Sequence, residues 1–151
     1  MLRISPGTST GVVAGAILGI AAGTGAYTFW YGRGGAYLLD DPAACANCHV
    51  MQAQLDAWTR SSHRSVATCN ECHTPHGLVH KYLVKAQNGF WHSFAFTTGR
   101  FVEPIGIKAG NREITESRCR ACHAEMAAVV DGTGTERRSC LGCHGDVGHN
   151  T

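Results

Sequence analysis

Eight cysteines stand at positions 45, 48, 69, 72, 119, 122, 140 and 143, each in a Cys-x-x-Cys pair that a histidine follows at once. The four copies read CANCH, CNECH, CRACH and CLGCH and end in His49, His73, His123 and His144. Disulfides require no histidine at a fixed offset, and Cys-x-x-Cys zinc sites require none directly after the second cysteine. Covalent attachment of c-type haem requires this whole pattern. Thioether bonds from Cys45 and Cys48, Cys69 and Cys72, Cys119 and Cys122, and Cys140 and Cys143 tie the porphyrin edge down. They leave the next side chain beneath the ring, where an imidazole becomes an axial iron ligand. All eight thiols are consumed, so none remains for a disulfide or for thiol chemistry. Such attachment takes place outside the cytoplasm, which turns the haem-bearing part toward the periplasm.

Four haems offer more axial positions than the motif histidines fill, and His63, His76, His80, His92 and His149 form the reserve, with Met51, Met126, Lys81 and Lys85 as weaker candidates. His76 follows His73 by three residues in CHTPH, and Pro75 stiffens the link. It cannot reach round to the far side of the same iron and is expected to serve a neighbouring one. In CANCHVM, Met51 stands two residues beyond His49, so two good ligands compete for one iron. Composition and spacing alone assign His49 and treat Met51 as a nearby apolar residue.

These motifs need a scaffold, and the sequence predicts a mainly α fold with much irregular loop. From Gly11 to Tyr31 the chain carries no charge; at about 1.5 Å per residue such a stretch matches a bilayer core of about 30 Å. Its length, and its end in Tyr27, Phe29, Trp30 and Tyr31, favour an uncleaved signal anchor over a cleaved signal peptide. Residues 1–10 are then a cytoplasmic N-terminus in a single-pass protein of the inner membrane. Arg3 before the span and Arg33 after it orient it only weakly. Gly11, Gly15, Gly19 and Gly23 form a G-x-x-x-G ladder suited to self-association or to packing on a partner helix.

Residues 32–151 are expected to form one periplasmic tetrahaem domain, too small to build an apolar core around each group. The haems themselves should be the core, carried on short helices, with turns at Gly34-Gly35, Asp41-Pro42, Gly132–Gly134 and Gly145 and almost no β-sheet. Motif starts lie 24, 50 and 21 residues apart, pairing the first two motifs and the last two in sequence. In the long gap Leu78, Tyr82, Ala86, Phe90 and Phe94 recur every fourth residue. They mark either a packed core helix or, given the nearby Trp91 and Phe96, an interfacial segment near 77–98 where a lipid-soluble donor arrives. A formal charge of +2 with scattered Lys and Arg argues against a nucleic-acid partner.

CANCHVM, SSHRSVATCNECHTPH, LVKAQNG and CLGCHGDVGH together resemble the NapC/NirT family of membrane-bound tetrahaem quinol dehydrogenases. The likeness is greatest to members that anchor and reduce a periplasmic multihaem, ammonia-forming nitrite reductase. The resemblance implies that Met51 displaces His49 at the first haem, and that the others are ligated by His73 with His149, His123 with His63, and His144 with His76. It implies menaquinol as the donor, with Lys85 beside the first haem in the quinol pocket. Where the family places an aspartate on the distal side of that haem, this chain places His92. Rival readings are a dehydrogenase feeding another reductase such as one for nitrate, a soluble tetrahaem shuttle, and a catalytic multihaem reductase.

Overall fold

The computed structural model describes residues 6–134 and 136–149, apart from the side chains of Pro6 and His49. The chain divides into two units, residues 1–36 and 37–151. The first is dominated by helix α1, Pro6–Tyr31, about 39 Å long at the ordinary rise. It begins five residues before the expected span because proline is accommodated in a helix's first turn. Arg3 lies outside the described residues. The stretch Gly7–Tyr31 has a mean hydropathy of 1.6 and none of it is buried in the protein; a helix apolar all round finds its solvent in lipid. Among the described residues no neighbouring atom lies within 4 Å of a Cβ built at Gly11, Gly15, Gly19 or Gly23. Arg33, at φ 51, turns the chain out of α1. The expected turn at Gly34-Gly35 is the start of a 3-10 helix, Gly34–Leu38, where a side chain at Gly34 would strike the Phe29 ring.

The second unit is a series of short helices: α2 Pro42–Cys45, α3 Gln52–Thr59, α4 Cys69–His73, α5 Leu78–Thr98, α6 Ala109–Cys122, α7 Ala124–Asp131 and α8 Cys140–Cys143. The described residues contain no strand. Local chemistry starts and stops these helices. Asp41 caps α2 by accepting from the Ala43 N–H at 2.9 Å, with Pro42 in the first turn. Ahead of α4, the Glu71 carboxylate accepts from the Thr68 N–H at 2.5 Å and from its hydroxyl at 2.7 Å. Gly99, at φ 66, ends α5 in the left-handed region, with the Arg100 N–H bonded to Ala95 O at 2.9 Å.

Among the described residues Ala57 is the one buried hydrophobic side chain, whereas Thr74, Lys85 and Thr115 are buried and polar. Ordering the backbone costs about 1–2 kcal/mol per residue, which one small apolar residue cannot offset. Much of the packing between helices runs through polar bonds. Arg118 Nε on α6 donates to Glu71 O on α4 at 3.0 Å, and the amides of Asn88 and Asn111 join α5 to α6 with bonds of 3.3 and 3.1 Å. Arg120 on α6 reaches Asp131 at the end of α7 through two nitrogens, at 2.6 and 3.1 Å. On α5 the apolar stripe is turned outward: Leu78 is 74% and Phe90 62% exposed. The packed face carries Lys81, Val84, Lys85 and Asn88. Helical periodicity located the helix, but its core-packing reading is not what the structure adopts.

Ser139 is the N-cap of α8, its hydroxyl accepting from the Gly142 N–H at 3.0 Å, and Glu116 on α6 reinforces that helix end. Its carboxylate accepts from the backbone N–H of Cys140 at 2.9 Å and of Leu141 at 3.0 Å, and from the Ser139 hydroxyl. Burial pushes its pKa up, but the Ser139, Leu141 and Cys140 bonds together outweigh burial and leave it below the ordinary 4.5. Glu116→Ala should therefore cost about 1–2 kcal/mol, read as a lowered midpoint of thermal unfolding. A group with a depressed folded pKa contributes fully above its unfolded value and loses that contribution as pH falls through the folded one. The difference from wild type should accordingly shrink below about pH 4.5.

Candidate haem-ligation site

Three of the four motifs sit on helices in one way. Both cysteines lie in α4, in the last turn of α6 or in α8, and the histidine stands at the helix end. Its N–H closes a helical bond onto the first cysteine's carbonyl, His123 to Cys119 at 2.9 Å and His144 to Cys140 at 2.8 Å. The first motif is built differently. Helix α2 stops at Cys45, the chain turns, and a 3-10 helix runs His49–Met51, closed by the Met51 N–H on Cys48 O at 2.8 Å. Met51 is half-buried, and the His49 side chain lies outside the described residues.

Two of the expected ligand pairs meet. His73 and His149, 76 positions apart, bring their Nε2 atoms to 3.5 Å with rings inclined by 18° and centroids 5.8 Å apart. The centroid separation exceeds the nitrogen separation by about the width of an imidazole, so the two Nε2 atoms face one another between the rings. Two imidazoles each reaching one metal at about 2 Å would stand about 4 Å apart. His149 Nδ1 lies 3.3 Å from the Gln54 carbonyl oxygen. That oxygen only accepts, so Nδ1 carries the proton and the Nε2 lone pair is free to bind metal. Burial, and then the charge of His149, lowers the His73 pKa from 6.5 to about 4, keeping that imidazole neutral and competent to ligate. This donor set fits an axially ligated iron. His63 and His123 approach edge to face, centroids 6.1 Å apart at 73°. His76 and His144 are exposed and no ring contact joins them among the described residues; His80 is exposed on α5, and Met126 is 64% exposed on α7.

The motifs adjoin in chain order, α2 on α4, α4 on α6 and α6 on α8. The first of these contacts brings Cys45 beside Cys69. The 50-residue gap before the third motif is closed by the packing of α4 on α6, so the expected division into two pairs becomes a single succession.

Beside the first motif Lys85 is only 5% exposed. Its Nζ donates to Leu39 O at 2.6 Å and lies 3.3 Å from Asp40 Oδ1. Further along α5, His92 joins Gln87, Asn88, Trp91, Lys108 and Asn111 around a cleft of about 360 Å³. Partial burial, and then the Lys108 charge, holds the His92 pKa below its ordinary value. Both influences favour the neutral imidazole. Sequence reasoning missed Asp40, which no motif marks, and Glu116, whose cap lies 24 residues away.

The NapC/NirT cytochrome c family, N-terminal region, matches residues 7–151. "Cytochrome c-type protein NrfH" of Wolinella succinogenes is 36% identical over 145 residues, covering 88% of this chain and 82% of that protein. "Cytochrome c nitrite reductase subunit NrfH" of Nitratidesulfovibrio vulgaris is 30% identical over 139 residues, covering 91% and 82%. A solved structure of the cytochrome c nitrite reductase NrfHA complex bound to the HQNO inhibitor aligns with a TM-score of 0.62 and 29% identity, covering 90% of this chain and 88% of that one. Since the match runs from the apolar helix through every attachment motif, the chain belongs to the NapC/NirT cytochrome c family, whose c-type haem its cysteines are built to hold.

Proposed function

We propose that this chain is the quinol-oxidising subunit of an ammonia-forming cytochrome c nitrite reductase, anchored in the membrane by α1. The observation that carries the reading is the unbroken succession of the motif helices, α2 to α4 to α6 to α8. Relatives named as nitrite reductase subunits support the choice of partner, a periplasmic multihaem catalytic subunit. Four haems, attached through the eight cysteines, would carry electrons singly from a two-electron donor to that partner. Menaquinol is the donor in this reading, and the haem-bearing unit lies on the periplasmic side. The outward stripe of α5, with Trp91 and Phe94 at 47% and 40% exposure, suits the lipid interface where such a donor arrives.

The ligand set follows the geometry where the structure brings residues together. His73 with His149 and His123 with His63 hold two irons; His144 with His76 hold the last. At the first motif we assign the protein ligand to Met51, with His49 the alternative, because the helical placement that presents the other motif histidines is replaced there by the 3-10 turn His49–Met51. Lys85 and His92 line the quinol side. Neutral His92 takes up a proton as the quinol is oxidised, and Lys85 supplies a fixed positive charge.

Two variants test the assignment of ligands, and the measurements after them test the function. His149→Ala should turn one low-spin haem high-spin in the optical spectrum while its covalent attachment, read by intact mass, is kept; an unchanged spectrum would remove His149 from the iron. Met51→Ala should change the first haem's spectrum, and a variant that kept both spectrum and quinol activity would return that iron to His49. From membranes solubilised in mild detergent, the chain should co-purify with a nitrite-reducing multihaem subunit and be reduced by a menaquinol analogue. Loss of the proton acceptor in His92→Ala should slow that reduction about a hundredfold. Full rates in both His92→Ala and Lys85→Ala would place the quinol elsewhere.

A further inference from the structure

A buried ammonium is costly unless it is paired and hydrogen-bonded. Lys85 meets that requirement through three groups. Its Nζ donates to Leu39 O at 2.6 Å, lies 3.3 Å from Asp40 Oδ1, and sits 5.8 Å from the Tyr82 ring centroid. Asp40 is not dedicated to it. The same Oδ1 accepts from the Asn70 amide at 2.7 Å, and Oδ2 pairs with Lys81 at 2.5 Å. One carboxylate thus joins the segment ahead of the first motif, the second motif through Asn70, and the packed face of α5. It offsets part of the charge of the two ammonium groups it contacts, and Asp41 and Glu71 add further negative charge nearby. Leu39 and Asp40 lie directly ahead of the helix that ends in Cys45, so the Lys85 ammonium is held at the entry to the first motif.

We propose that Asp40 is a counter-ion that tunes the first attachment motif: shared among Lys81, Asn70 and Lys85, its carboxylate offsets part of the ammonium charge held beside that motif, and so sets the potential at which a haem there accepts an electron. Reduction adds one negative charge to that haem, so a fixed cation nearby favours the reduced form and an anion opposes it. Burial and the Leu39 carbonyl keep Lys85 in place when Asp40 loses its charge. Neutralising Asp40 therefore unmasks positive charge, whereas neutralising Lys85 removes it. The inference rests on a haem at Cys45 and Cys48 that receives the first electron, but it concerns the potential of that haem and not the identity of the donor.

Potentiometric titration of the full-length, haem-loaded protein resolves the matter, with quinol-dependent reduction followed in parallel. In Asp40→Asn one component of the titration should move to higher potential while the others stay. In Lys85→Met the same component should move lower, and Asp40→Glu should restore the wild-type value. Movement of that component in one direction in both neutralising variants, or in neither, would overturn the proposal; a merely structural loosening produces the former. Should Asp40→Asn fail to load haem, Lys85→Met against Lys85→Arg decides: a component unmoved in Lys85→Met sinks the idea. Loss of quinol oxidation at unchanged potentials would implicate the quinol site instead, so the two readings fail separately.

Discussion

A chain whose one buried apolar side chain among the described residues is Ala57 has no hydrophobic core of its own to fold around. For an ordinary domain of this size, apolar burial is the main term set against conformational entropy. Here that term has to come from groups fixed covalently to the cysteines, whose macrocycles are apolar surfaces far larger than any side chain. Helices this short are marginal when isolated. The two that do extend, α5 and α6, are the ones that the polar staples reach from both sides.

The same constraint explains why so many cross-links are polar and directed at backbone. A bond from Arg118 to the Glu71 carbonyl, or from the Cys140 N–H to Glu116, fixes the position and direction of one motif helix against another in a way that loose apolar contact does not. Position matters more here than gross stability, because electron transfer depends steeply on separation, and each helix fixed in this way carries an attachment site at a definite place. Exposed apolar residues on α5 follow as well. With nothing apolar for the stripe to pack against inside the unit, its polar side with Lys81, Lys85 and Asn88 became the inner one.

What the sequence revealed and what it hid follow from the range of each signal. Haem attachment was legible because the chemistry fits inside five consecutive residues. Helix α5 was legible because its periodicity runs for 21 residues. The direction in which its stripe faces was not, since periodicity reports that one side differs from the other and says nothing of which is covered. The pairing of His73 with His149 spans 76 positions and no local pattern encodes it; resemblance to a family supplied it, and the facing nitrogens give it a physical basis. Asp40 was invisible for a related reason. A carboxylate next to Asp41-Pro42 reads as part of a helix start, which is true of Asp41 alone.

The first motif is where these threads meet. Three motifs share a helical frame that delivers a histidine to the helix end, and such a frame makes their sites chemically alike. Breaking α2 at Cys45 and inserting the 3-10 turn His49–Met51 removes that frame from one site only. In the proposed assignment a Met51 thioether raises the potential of the first haem relative to a second imidazole, and the Lys85 ammonium, partly offset by Asp40, acts in the same direction. In that proposal both features make the first site a ready acceptor. An acceptor that held its electron too tightly, however, would stall transfer to the second haem, whose attachment cysteine touches Cys45. A counter-ion that cancels part of the local charge limits that trap. On this argument Asp40 matters less for holding the segment together than for keeping the first step downhill without making the second one steep.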